Sequence, residues 1–343
     1  MNRAAPLFAL SMGDPCGIGP EIIVKSLAQP LPAPCVVVGD VAVMRRAVAA
    51  CDLQWPVAEL DEPEQARDAP PRCVAVWQPP GLPASLSALP IGRVHADAGR
   101  AAIACIEAAA RLTLAGRTGA LVTAPVHKQA LAAAGSRFPG HTEMLQALAA
   151  ARGVEPEVRM MLANDELRVV LVTIHASLRR AIDQLDVERI ATTITLAHRA
   201  GQQTGLTQPR IAVAGLNPHA GEGGLVGDEE VRVIVPAIAR ARAAGIDASG
   251  PYAPDTVFMR ARNARGHPGE FDYVIAMTHD HGLIPVKYLG VERGVNVTLG
   301  LPFVRTSPDH GTAFDIAGRG LADPSSLRAA MSMAHELCGG GLR

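Results

Sequence analysis

His175, His219 and His279 each follow an apolar run of the kind that forms a buried strand: LRVVLVTI before the first, IAVAG before the second and YVIAM before the third. In a parallel sheet the carboxyl ends of the strands share one edge, and ligands of open α/β sheets bind just outside that edge. Three imidazoles delivered there form a donor set suited to Zn²⁺, Co²⁺ and related cations. Three protein ligands with one open position are also the pattern of a catalytic metal site. Asp280, next to His279, and Asp255 supply carboxylates that could orient those ligands or join them. The competing reading packs each histidine as an ordinary structural residue, and we keep that reading for His95, His198, His267 and His335, which lack this placement.

Lys287, Asn296 and Arg305 add two positive charges and an amide to the stretch from Asp272 to Gly320. Taken singly they read as solvated surface groups; together they point to an acidic, phosphorylated small substrate. The hexapeptide FPGHTE, from Phe138 to Glu143, opens a helix with Thr142 as its N-cap. Free N–H groups and the positive dipole end would let His141 and Thr142 hold an anion such as phosphate; the alternative is an ordinary capped helix start. The turn from Gly13 to Glu21, GDPCGIGPE, is neither a P-loop nor GxGxxG. Its glycines allow a close backbone approach, either to a ligand or to a neighbouring segment.

Positioning these groups requires alternating strands and helices. Strands are expected at Leu7 to Met12, Val36 to Val38, Cys73 to Trp77, Ala120 to Thr123, Leu167 to Ile174, Ile211 to Gly215 and Tyr273 to Met277. Helices are expected at Glu21 to Leu27, Val41 to Ala50, Gly99 to Leu114, Val187 to Thr204 and from Asp228 to Ala244. Residues 54–93 read as a loop-heavy segment, Gly250 to Thr256 as a rigid loop, and Gly339 to Gly341 as a tail. The alternation argues a doubly wound, largely parallel α/β architecture. At 343 residues the chain is long for one core, so two lobes are expected. The 48% apolar and 19% charged content suits a folded globule. A net charge of −1 without a Lys/Arg run argues against nucleic acid. Six cysteines without CxxC pairing read as reduced thiols. The apolar stretch in MNRAAPLFALSMGDP is short for a signal sequence, and no segment approaches the ~18 apolar residues of a membrane span. These features predict a cytoplasmic protein that does not enter membranes.

The stretch SPDHGTAFDIAGRG, Ser307 to Gly320, resembles the adenosine-binding loop of isocitrate and isopropylmalate dehydrogenases, which bind NAD(P) without a GxGxxG fingerprint. Together with GDPCGIGPEI, TAPVHKQAL, FPGHTE, GLNPHAGEGG, GPYAPDTVF, HDHGLIPVK and GVNVTLGLPFVRTSPDHGTAFDIAGRG, in that order along nearly the whole chain, it is similar to the 4-hydroxythreonine-4-phosphate dehydrogenase family of vitamin B6 biosynthesis. The resemblance implies a two-domain isocitrate/isopropylmalate dehydrogenase-like α/β fold, with α/β/α layers and a central cleft. The expected division gives residues 1–140 and 300–343 to a cofactor-side domain and 141–299 to a domain with the metal site and dimer interface. It implies a divalent metal (zinc, magnesium or cobalt) on His175, His219 and His279, with His279 reaching across a homodimer. It further implies NAD or NADP at His310, Gly311, Thr312 and Ala313, and substrate at His141, Thr142, Asp255, Lys287, Asn296 and Arg305. Lys287 and Asp255 are the candidates for proton transfer. His281 departs from the family's usual glutamine. The rival functions are a phosphate acyltransferase on the same scaffold, a metallohydrolase, a related dehydrogenase of another hydroxy acid, and a non-catalytic binder of phosphorylated metabolites.

Overall fold

The structure is a computed structural model that describes residues 5–150 and 153–339; Gly340 and Gly341 of the expected tail, and the first four residues, lie outside it. The chain runs β1 (Phe8–Ser11), α1 (Gly19–Leu27), β2 (Cys35–Val38), α2 (Val41–Ala50), β3 (Val57–Leu60), β4 (Val74–Trp77), α3 (Ala96–Leu114), β5 (Ala120–Thr123), α4 (Lys128–Ala133) and α5 (His141–Ala150). It continues through β6 (Arg159–Ala163), β7 (Arg168–Leu171), α6 (Leu178–Asp183), α7 (Val187–Gln203), β8 (Ile211–Ala214), α8 (Val235–Ala243), β9 (Ala248–Tyr252), α9 (Val257–Ala261), β10 (Tyr273–Ala276), α10 (His279–Tyr288) and β11 (Val295–Leu299). It ends with β12 (Val304–Pro308) and α11 (Ser325–Leu337).

These elements fall into two compact units, one formed by the described residues up to 156 with 301–338 and the other by 157–300. The helix that carries His141 and Thr142 therefore belongs to the first unit, where α5 packs against α3. In that unit the strand order is β3-β4-β2-β1-β5-β12, and its strand pairs are parallel. β1, β2 and β5 are buried along their whole length, which is why they read as unbroken apolar runs rather than alternating ones.

The second unit departs from the parallel expectation. Its order is β11-β6-β7-β10-β8-β9, and β6 pairs antiparallel with both β11 and β7. A short β6–β7 connection through Asn164 to Leu167 permits this, whereas a parallel pair needs a long crossover. Asn164 shapes that turn by accepting hydrogen bonds from the Glu166 and Leu167 amides, at 2.9 Å each. β7, β10, β8 and β9 are parallel neighbours. Gly250 to Tyr252, expected as loop, completes β9, with a cis Gly250–Pro251 bond. The core of this unit gathers Val169, Leu171, Ala212, Val274, Leu283 and Val286 between the sheet and the α9 and α10 helices. No helix among the described residues is long and apolar enough to cross a membrane.

Candidate active site

In the first unit Arg305 of β12, Thr123 of β5 and His141 of α5 come together. Parallel pairing sets Arg305 of β12 opposite Leu121 of β5. Arg305 is 3% exposed, and its Nη2 donates to Thr123 Oγ1 at 2.7 Å. Burial pushes its guanidinium down to about 10, against the opposing pull of the Glu143 carboxylate. It remains a cation at neutral pH. His141 begins α5, with its Nε2 buried and without a hydrogen-bond partner. Burial first, and then the charge of Arg305, hold this imidazole well below the ordinary histidine range, while a hydrogen bond to the Ala124 backbone opposes them. Thr142 sits one residue inside the helix rather than at its N-cap, so its own amide is among those left unpaired in the first turn. A buried cation, a neutral imidazole with a spare nitrogen and a helix N-terminus together suit a phosphate.

The residues expected to meet the dinucleotide follow β12. Thr312 is buried and its carbonyl accepts from the Ile18 amide at 3.0 Å. His310 Nδ1 lies 3.0 Å from the Gly311 carbonyl oxygen, and its Nε2 is buried without a partner. Gly311 is exposed, and a Cβ built on it would meet nothing within 4 Å. At Gly17 the reverse holds: a Cβ would come within 2.8 Å of the Thr312 side chain. Within the turn, Gly17 is thus the residue that lets it pack against this loop, while Gly13 and Gly19 lie against Pro125 and Met12.

In the second unit the register of β7 and β10 pairs Leu171 with Ala276, so both strands end at one level. Backbone bonds continue past them, from Val172 N to Ala276 O at 2.9 Å and from Thr173 N to Met277 O at 3.2 Å. His175 and His279 emerge next to each other, with ring centroids 5.8 Å apart. α10 lies close on the sheet because Gly282 has no side chain; a Cβ there would be 2.4 Å from Leu171. His279 Nδ1 is 2.7 Å from Asp280 Oδ1, an arrangement that leaves Nε2 as the outward nitrogen.

His219 is placed differently. It stands in a run of left-handed residues, His219 (φ 52), Ala220 (φ 54), Gly221 (φ 74), Glu222 (φ 43) and Gly223 (φ 69). Such a conformation costs non-glycine residues roughly 1–2 kcal/mol each. Glu230, 2% exposed, holds the base of this loop by accepting from the Leu216 amide at 2.7 Å, the Asn217 amide at 2.8 Å and Asn217 Nδ2 at 2.9 Å. Among the described residues, no three His, Cys, Asp or Glu side chains of one chain group so as to hold a metal ion. The outward Nε2 of His279 nonetheless suits one.

The remaining expected residues are spread over this unit. Asp255 is exposed in the turn after β9, Asn296 is half-buried on β11, and Lys287 is exposed in the last turn of α10. At 1.5 Å per residue, the backbone positions of Lys287 and His279 lie about 12 Å apart along the helix. Sequence reasoning missed Glu230, which it took as part of an acidic helix start. It also missed Thr123, the hydroxyl that meets Arg305.

An α/β chain that brings a buried cation, a helix N-terminus and paired histidines to strand carboxyl ends has the make-up of an α/β enzyme for small anionic ligands. The chain matches the family described as pyridoxal phosphate biosynthetic protein PdxA over residues 31–334, and it belongs to that family. A 4-hydroxythreonine-4-phosphate dehydrogenase of Beijerinckia indica is 54% identical, over 96% of this chain and 94% of its own. A D-threonate 4-phosphate dehydrogenase of Pectobacterium atrosepticum is 46% identical, over 96% of this chain and 99% of its own. The crystal structure of a 4-hydroxythreonine-4-phosphate dehydrogenase from Klebsiella pneumoniae matches with a TM-score of 0.86 and 44% identity, covering 98% of this chain and 99% of that one.

Proposed function

We propose that the protein is an NAD(P)- and metal-dependent dehydrogenase of 4-phosphohydroxy-L-threonine, forming 2-amino-3-oxo-4-(phosphonooxy)butanoate, which loses CO₂ to give 3-amino-2-oxopropyl phosphate for pyridoxal 5′-phosphate synthesis. The observation that carries this reading is the buried Arg305 beside the buried His141 at the start of α5, a setting suited to a phosphate, in a member of this family. His141, Thr142 and Arg305 fix the phosphate and with it the distance to the hydroxyl-bearing carbon. Asp255, Lys287 and Asn296 meet the rest of the substrate. His310, Gly311, Thr312 and Ala313 would hold a dinucleotide, which would supply the hydride acceptor for that carbon when bound. The hydroxyl proton goes to a base drawn from Lys287 and Asp255. Decarboxylation follows because the carbanion left behind delocalises into the neighbouring carbonyl.

A divalent cation, zinc, magnesium or cobalt, held by His175, His219 and His279, would supply Lewis acidity toward the substrate oxygen when bound. The resemblance assigned His279 to the neighbouring subunit. We keep that division, with His175 and His219 supplied by one protomer and His279 by its partner in a homodimer. Large apolar side chains exposed beside both segments support such a partner: Leu225 and Val231 near the His219 loop, and Ile284, Tyr288 and Val291 on and after α10. The two units fit the isocitrate/isopropylmalate dehydrogenase-like plan, and a cytoplasmic setting fits the reaction.

The test follows reduced nicotinamide with 4-phosphohydroxy-L-threonine and each dinucleotide, before and after chelation. Turnover lost on chelation and restored by a divalent cation is expected. Full turnover without metal would refute metal dependence. D-threonate 4-phosphate is run alongside, since the phosphate pocket suits both; a higher kcat/KM for it would move the assignment to the activity named for the Pectobacterium relative.

A further inference from the structure

Residues 309–324, between β12 and α11, contain no strand or helix, yet this segment carries His310 to Ala313. A segment without its own hydrogen-bonded ladder takes its shape from what grips it. The grip comes from one face of α1 and its cap. Ile18 donates its amide to Thr312 O at 3.0 Å. Glu21, 3% exposed, receives the Gly318 amide on Oε1 and the Gly320 amide on Oε2, the latter at 2.8 Å. Lys25 Nζ donates to Gly320 O at 2.6 Å and Ala322 O at 2.8 Å. Residues 18, 21 and 25 recur at three- and four-residue steps, the spacing of one helix face. Gly318 and Gly320 have φ of 79° and 63°, and a Cβ on Gly320 would lie 2.3 Å from Ala50 O, so the turn is also pressed against the end of α2.

We infer that Glu21 is a positioning residue for the dinucleotide: its carboxylate, by accepting the Gly318 and Gly320 amides, holds residues 309–324 in the shape in which His310 to Ala313 meet the cofactor. This rests on the assignment of those four residues to the dinucleotide. It gives the GDPCGIGPE turn a purpose other than touching phosphate. Gly17 lets the turn lie against Thr312, and the glutamate that ends the turn locks the far side of the same loop. Both carboxylate oxygens are needed, because an amide offers one acceptor and would turn N–H groups toward a backbone N–H.

Dinucleotide and substrate affinities are measured separately by calorimetry, with steady-state kinetics and melting curves, for Glu21→Gln, Lys25→Met and His310→Ala. Glu21→Gln is expected to raise Kd and KM for the dinucleotide on the order of tenfold or more, the scale of one lost charge-assisted hydrogen bond. Its affinity for the phosphorylated substrate should stay within about twofold and kcat at saturating dinucleotide within about threefold, the pattern of a lost binding contribution. Lys25→Met, on a partly exposed stem, should shift the same constants in the same direction by less. Unchanged dinucleotide affinity in both variants, or equal losses for both ligands in step with a lower melting temperature, would overturn the inference. Dinucleotide binding weakened by His310→Ala but not by the Glu21 and Lys25 changes would remove the clamp and leave the loop assignment standing. Unaltered dinucleotide binding in His310→Ala would remove both.

Discussion

Replacing Glu230 by alanine is expected to release the loop that carries His219 without unfolding its unit. The carboxylate accepts three hydrogen bonds, from Leu216 N, Asn217 N and Asn217 Nδ2. Bonds to a charged group contribute about 1.5–3 kcal/mol each, so the grip totals roughly 5–9 kcal/mol at most. Against it stand His219, Ala220 and Glu222, held left-handed at about 1–2 kcal/mol apiece, or roughly 3–6 kcal/mol together. The two sums are of one size. Without Glu230 the loop has little reason to stay left-handed, and its relaxation returns most of what the lost bonds contributed. Global stability in urea should then fall by only about 2–3 kcal/mol, the difference between the two estimates. Amide exchange at Leu216, Asn217 and residues 219–223 should quicken far more than in β8, and affinity for a divalent cation should drop. A global loss near the full grip with the loop amides still protected would show that no strain is stored there. No change in either would show that the carboxylate holds nothing.

The stored strain has a second test, Ala220→Gly, which should stabilise the protein by up to about 1 kcal/mol in urea melts, since glycine adopts φ near 54° at little cost. Stability should also depend on pH through His141. Its folded-state pKa is depressed by burial and by Arg305, so below about pH 6.5 the unfolded chain takes up a proton that the native state refuses. Stability therefore falls as pH drops from there toward the depressed value, and His141→Gln should flatten that slope in urea melts repeated across the range. Arg305 acts at the other end: affinity for a phosphorylated ligand should fade as pH rises through about 10, where half of its guanidinium has lost its proton.

The parts of this fold that could be read in the sequence are those where burial decides everything. β5 and β10 are runs with no exposed residue, and the apolar pattern placed them to within a residue. β6, β11 and β12 escaped notice because Arg159, Asn296 and Arg305 interrupt their apolar character. Arg159 is nearly buried yet satisfied by Thr193 Oγ1 at 2.8 Å, a partner that sequence cannot supply. The site divides in the same way. That His175 and His279 meet follows from parallel neighbouring strands, which alternation already implies. That His219 follows β8 through a left-handed run is only partly written in its glycines, since His219, Ala220 and Glu222 share it. Glu230 looked like any helix-start acid, because its burial depends on where the loop before it folds back.

The first unit is discontinuous in sequence: β12 and α11 join it only after the whole second unit has been traversed. During synthesis residues 157–300 emerge as one uninterrupted stretch and can close on themselves. The earlier strands of the first unit must meanwhile wait, with β5 lacking its neighbour on one side. The segment made after the second unit brings Arg305 to Thr123 and Thr312 to the start of α1. The contacts proposed for phosphate and dinucleotide would then form only after the second unit has been made, and a chain ending at residue 300 would keep the three proposed metal ligands while lacking both.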